Sequence, residues 1–244
     1  MREILEEAAI VCRQEVEDLL LIAAPAAVAG PILVLISTAG FTAAVVCIPI
    51  VLAIYLIVYA ATVQASALML RNMAPDPAEA YLAPLGSAVD IVRTTGPGLL
   101  FVAVLWGLAL GVSNQGFSEV AFVLGIAGAA AVFVWAARHA FDLPLILVHG
   151  LDATDAQRFG AQFVGEDAIP RSLSFCGGVA SPLLVAGLLS VALGLMNPVF
   201  GAALFAAAFA LWLPFGSLAL SMACDRMVDD TVAASQQQPA SAAR

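Results

Sequence analysis

A chain of 244 residues with 62% hydrophobic and 11% charged residues, and a mean hydropathy of +1.01, holds more apolar material than one soluble core can use. The net charge is −9 and all nine positive charges are Arg. That balance excludes Schiff-base chemistry on Lys and argues against a nucleic-acid partner; the expected surroundings are a lipid bilayer.

The first eighteen residues carry Glu3, Glu6, Glu7, Glu15, Glu17 and Asp18 against Arg2 and Arg13, so they do not read as a secretory signal. Leu5, Ala8, Ala9, Cys12, Val16 and Leu19 recur at spacings of three and four, which predicts an amphipathic interfacial helix over 1–18. From Leu19 to Leu70 there is no charge at all, and two spans are expected, Leu19–Thr38 and Ala43–Leu70, joined at Gly40-Phe41-Thr42. Pro49 should kink the second. In the charged link that follows, Asp76-Pro77-Ala78-Glu79 has a cap, Pro at the first helical position and a Glu three residues on. It predicts a helix whose apolar side carries Tyr81, Leu85, Val89 and Val92.

The third and fourth spans are expected over Pro97–Ser113 and Val120–Ala137, joined by Asn114–Glu119. The long link after them offers Asp152-Ala153-Thr154-Asp155 as a helix start, with Phe159 and Phe163 on one side, and Pro170 as the opening of a second short helix. The fifth and sixth spans are expected over Cys176–Met196 and Val199–Cys224, joined at Asn197-Pro198, with Pro214 inside the sixth. A membrane domain over 19–230 would thus be followed by a polar tail, 231–244, expected to be disordered.

The expected fold class is all-α: six transmembrane helices as three hairpins, each preceded by an amphipathic helix in the cytoplasm. The three short links hold no Arg, and every Arg lies on the other side, so both termini are expected in the cytoplasm; the Ala-rich, Arg-only, acidic usage suggests the plasma membrane of a prokaryote. Arg13 precedes Leu19-Leu20 by six residues and Arg93 precedes Leu99-Leu100 by six, with a looser match from Arg171 to Leu183-Leu184; the pattern reads as a degenerate threefold repeat.

Chemistry-bearing motifs are sparse. There is no G-x-S-x-G, P-loop or G-x-G-x-x-G, so no enzyme activity and no cofactor is expected. Cys12, Cys47, Cys176 and Cys224 read as small buried thiols. Within the spans, Gln64, Ser66, Ser113, Ser181 and Ser190 should bond across helices or back to their own backbone. The one dense polar cluster is Arg138, His139, Asp142 and His149. On a continuous helix Arg138, Asp142 and His149 share a stripe while His139 does not, although Pro144 interrupts that geometry. An Arg138–Asp142 pair at the membrane boundary is the first expectation; a ligand or proton-relay site and a metal site are the alternatives. Gly107 and Gly111 form G-x-x-x-G, a helix-packing pattern serving either this chain or a second one.

The run Ala136-Ala137-Arg138-His139-Ala140-Phe141-Asp142-Leu143-Pro144-Leu145-Ile146-Leu147-Val148, followed by Pro170-Arg171-Ser172-Leu173, resembles a broad group of prokaryotic six-span proteins that includes the Yip-domain and glycerophosphodiester-phosphodiesterase membrane-domain families. There an Arg ends the fourth span, an apolar Pro-containing run follows, and a polar helix enters the fifth span near an Arg-Ser. The three-hairpin plan is similar over most of the chain. The resemblance implies membrane organisation or trafficking; where such domains join a phosphodiesterase, catalysis belongs to an attached soluble domain, which is not expected here. The expected function is a non-enzymatic scaffold or accessory subunit with membrane-protein partners or a second copy of itself. The alternative is a permease for lipid or another apolar solute, working with a separate ATPase.

Overall fold

The computed structural model describes residues 2–37, 40–164, 169–194 and 197–237. Among the described residues it is all-helical. In chain order the elements are α1 (Arg2–Gln14), α2 (Val16–Ser37), α3 (Phe41–Leu70), α4 (Pro77–Leu82), a 3₁₀ turn (Ala83–Ser87), α5 (Ala88–Asn114), α6 (Ser118–Arg138), α7 (Asp142–His149), α8 (Ala153–Val164), α9 (Ile169–Gly194) and α10 (Pro198–Gln237). Among the described residues three helical stretches are long and apolar enough to cross a membrane: Phe41–Leu70, Pro77–Ala109 and Val199–Thr231. The chain is a helical membrane protein.

Consecutive long helices pack on one another, α2 on α3, α5 on α6 and α9 on α10, and α10 also lies along α2 and α3. Length differences among them shape the rest. At 1.5 Å per residue α3 and α10 cover about 45 and 60 Å, whereas α2 and α6 cover about 33 and 32 Å. The extra turns of α3 and α10 project at the end where the Arg residues gather, and the short helices surround them. There α1 lies on α10, α4 on α3 and α2, α7 on α3, α5 and α10, and α8 on α7 and α5. The largest apolar cluster sits at this charged end, where Ile4, Ala8, Val63, Phe141, Leu143, Leu145, Phe175 and Leu218 are buried together.

Several local expectations hold and several are corrected. Asp76 caps α4, its Oδ1 accepting from Ala78 N at 3.2 Å, with Pro77 at the first helical position. Asp152 does the same for α8, taking Thr154 N and Asp155 N at 2.8 Å each. The interfacial segment is not one helix through 18: the chain bends at Glu15 and α2 begins at Val16. Its buried side carries Ile4 and Ala8, while Ala9 and Val16 are exposed. Tyr81 does not share a face with Leu85, Val89 and Val92. It packs inward and its hydroxyl donates to Ile22 O, whereas the other three point outward. The 3₁₀ turn holding Pro84 separates them, because its 120° per residue breaks the α-helical register.

Pro170 opens no separate helix; it lies in the first turn of α9, where a missing N–H is tolerated. Helix α10 continues through Thr231, whose Oγ1 donates to Met227 O at 2.8 Å, to Gln237, so residue 231 is not a helix end. Residues 238–244, the rest of the tail expected to be disordered, lie outside the described residues, as does the side chain of Phe163.

Candidate functional site

The polar cluster expected after the fourth span falls around α7. Pro144 cannot donate to residue 140, and its ring would crowd that carbonyl in a continuous helix. The chain responds by ending α6 at Arg138, turning through His139–Phe141 and restarting at Asp142. Pro144 then falls in the first turn of α7, where no intrahelical partner is lost. At the other end Gly150 takes a left-handed φ of 68°, with Gly150 N donating to Ile146 O and Leu151 N to Leu145 O, a glycine-terminated stop. Arg71 Nη2 donates to Val148 O at 3.1 Å and ties this end to α3. Leu143, Leu145 and Ile146 are buried between, each side chain contributing about 1.5–3 kcal/mol of apolar burial relative to water.

This break overturns the expected Arg138–Asp142 pair. Arg138 is exposed, and the partner of Asp142 is His139, with Nδ1 at 2.7 Å from Oδ2. With Asp142 ionised the carboxylate only accepts, so Nδ1 is the donor in this contact. The stripe of Arg138, Asp142 and His149 is not realised either, since the first two belong to different helices. His149 instead faces α10, its Nε2 at 3.7 Å from Asp225 Oδ1, within ion-pair range but too long for a hydrogen bond. His139, His149 and Asp142 do not converge, and no group of three metal-ligating side chains occurs among the described residues.

The His139–Asp142 pair is enclosed from several sides. Trp135 lies over the His139 ring, with centroids 5.0 Å apart, and the indole fits only because position 98 on α5 is Gly, where any Cβ would overlap the ring. Asp142 is buried, and its other oxygen, Oδ1, has no hydrogen-bond partner among the described residues. It points at Gly160 of α8, where a Cβ would stand only 2.6 Å away. Helix α8 is fixed there by Asp90 of α5, whose Oδ1 accepts from Ala153 N at 3.2 Å. One chain of contacts therefore runs Gly98–Trp135–His139–Asp142–Gly160 through α5, α6, α7 and α8.

A second polar seam joins α3 to α10. Thr62 Oγ1 donates to Tyr59 O and Ser66 Oγ to Thr62 O, both at 2.8 Å, and Ser66 Oγ lies 3.3 Å from Ser217 Oγ. Ser217 Oγ donates to Pro214 O at 3.1 Å. One turn further along α10, Ser221 Oγ is buried without a hydrogen-bond partner among the described residues, as is His149 Nε2. Ser181 and Ser190 bond back to Gly178 O and Ala186 O, as expected of hydroxyls in apolar helices. The side chain of Ser113 lies outside the described residues. All four Cys are free, with Cys176 and Cys224 buried and Cys12 and Cys47 half-buried.

Among the described residues nothing lies within 4 Å of a Cβ at Gly107, and the Phe41 ring approaches Gly111 at 3.7 Å. Local sequence patterns do not single out Gly160, Trp135, Asp90 or Ser217, and they put His139 in the cluster but off its shared stripe. The one local signal for His139 is its spacing of three from Asp142 across a break that Pro144 forces.

Comparison with protein-family models, with curated proteins and with solved structures finds no match.

Proposed function

We propose that the chain is a multi-pass protein of a prokaryotic plasma membrane that works without catalysis, as a scaffold or accessory subunit of a membrane complex. In this reading it crosses the bilayer six times as three hairpins, α2–α3, α5–α6 and α9–α10, with both termini in the cytoplasm. The observation that carries it is how the interior polar groups are used. Asp142 is held by His139 beneath Trp135 and closed over by Gly160, and the α3–α10 hydroxyls bond to one another and to backbone. Such an interior locks helices together, leaving the outer surface for partners. The resemblance of Ala136–Val148 to the Yip-domain group points the same way.

A permease is the second reading. Among the described residues Asp142 Oδ1, His149 Nε2 and Ser221 Oγ are buried without hydrogen-bond partners, and polar atoms left unsatisfied inside a membrane protein favour a pathway. Reconstitution separates the two. Proteoliposomes loaded with a pH-sensitive dye and carrying labelled lipid should show neither proton leak nor lipid exchange above empty vesicles. A flux that Asp142→Asn abolishes rejects the scaffold in favour of the permease. Orientation has its own test: Cys placed at Thr42 or Asn114 should label from outside intact cells, and Cys at Asp76 or Asp155 should not. Reversed labelling rejects the cytoplasmic placement.

A further inference from the structure

The stretch from α4 through the 3₁₀ turn into α5 has two opposed faces. Pro84, Ile91 and Thr94 are buried, and Tyr81 packs inward against the cluster of Leu19, Ile22 and Ala80. On the other side Leu82, Leu85, Val89 and Val92 are 65, 66, 80 and 59% exposed. In water this would be a continuous uncovered apolar surface. Its depth shows what covers it. The Tyr81 hydroxyl donates to Ile22 O, and Ala80 packs among Leu19, Ile22, Ala61 and Ala65. Those neighbours belong to the uncharged run Leu19–Leu70, so the stripe is level with apolar parts of α2 and α3 and not beyond them.

The same side of α5 continues into Leu100, Val104 and Leu108, which are 68, 52 and 55% exposed. Pro77–Ala109 is a 33-residue helical stretch, about 50 Å long at 1.5 Å per residue, against a hydrocarbon thickness of about 30 Å. Ala80, near its start, lies level with Leu19 and Ile22, so the excess length is accommodated by tilt rather than by projection beyond the hydrocarbon. Arg93 is exposed on that side, between the two halves of the stripe. A guanidinium on an apolar helix face extends along its own methylenes towards phosphate, which it binds with paired N–H groups.

We infer that Leu82, Leu85, Val89 and Val92 are seated among the acyl chains of the leaflet at the charged end, with Arg93 on a phospholipid phosphate. The inference rests on the membrane reading above and names the lipid-contacting residues within it. It is tested by placing p-benzoyl-phenylalanine singly at Leu85, Val89, Leu108 and Tyr81 in the full chain and irradiating native membranes. Mass spectrometry should find phospholipid adducts at Leu85, Val89 and Leu108, and an intrachain adduct at the inward Tyr81. Protein adducts, or none, at both Leu85 and Val89 while Leu108 still captures lipid would overturn the inference alone; that pattern points to a second copy or another protein on this face. Failure at Leu108 as well overturns the membrane reading and the inference with it. For the headgroup, Arg93→Ala should lower the phospholipid retained per protein after gel filtration in mild detergent. Retention equal to that of the unaltered chain would overturn the phosphate contact.

Discussion

His139 Nδ1 stands 2.7 Å from Asp142 Oδ2 across the gap between two helices, so the pair bridges the break that Pro144 imposes. Asp142 is buried and His139 is its only hydrogen-bonding partner among the described residues. The two substitutions are therefore unequal. His139→Ala strands a carboxylate in an apolar layer, whereas Asp142→Ala removes the group together with its desolvation cost. His139→Ala is expected to destabilise more, by about 1–3 kcal/mol, and the double variant to regain part of that loss. Thermal denaturation of the four proteins in detergent checks this. Losses that simply add would show that the residues are not coupled.

Gly160 yields a prediction opposite in sign to helix propensity. In an open helix Gly→Ala gains about 0.5–1 kcal/mol. At position 160 the new methyl would meet Asp142 Oδ1 at 2.6 Å, so Gly160→Ala must lift α8 or displace the carboxylate. A lower melting temperature is expected in the unaltered chain. In an Asp142→Ala background the same change should become neutral or stabilising, because the obstructing oxygen is gone. Gly160→Ala that stabilises both backgrounds would remove Gly160 from the contact chain.

What the sequence made legible follows from how local each signal is. The apolar runs located every long helix, and Asp76 and Asp152 announced their helix starts because a cap acts within three residues. The site was only half legible. Placing Arg138 opposite Asp142 assumed an unbroken helix, but the clash at Pro144 moves the stop back to Arg138 and turns His139 inward instead. Gly160 meets Asp142 only after α8 has folded back onto α7, and Ser66 meets Ser217 across 151 residues. No spacing rule in one strand of sequence reports such contacts. The side taken by Tyr81 was misjudged for a smaller reason, a single 3₁₀ turn that shifts the register by tens of degrees.

Cys12 on α1 offers a pH-dependent readout. Burial pushes its thiol up to about 11, since the thiolate is poorly solvated beside α2 and α3. The reactive thiolate is then scarce at neutral pH and becomes abundant only as pH rises through the raised value. Relative to an ordinary thiol near 8.5, maleimide labelling of Cys12 at pH 7 should be slower by roughly 100- to 1,000-fold in the folded protein. The rate should climb about tenfold per pH unit well below the raised value. Denaturant should restore ordinary labelling. Fast labelling of the Cys12 peptide in the folded protein would show that α1 is not docked as described.

The docking of α1 separates packing from charge. Glu7 and Arg226 form an ion pair between α1 and α10, but about half of each side chain is exposed, at 51% and 47%. Solvent screening leaves such a pair about 0–1 kcal/mol, so Arg226→Ala should hardly change the protection of the N-terminus from protease. Ala8 is fully buried against the core cluster, and Ile10 on the opposite side is 61% exposed. Ala8→Asp would bury an unpaired charge and is expected to release α1, giving rapid cleavage near residues 2–14 with the rest of the chain intact. Ile10→Asp should leave protection as it is. If Ile10→Asp frees the segment and Ala8→Asp does not, α1 presents the other face to its neighbours, and the apolar cluster containing Ile4 and Ala8 is wrongly assigned.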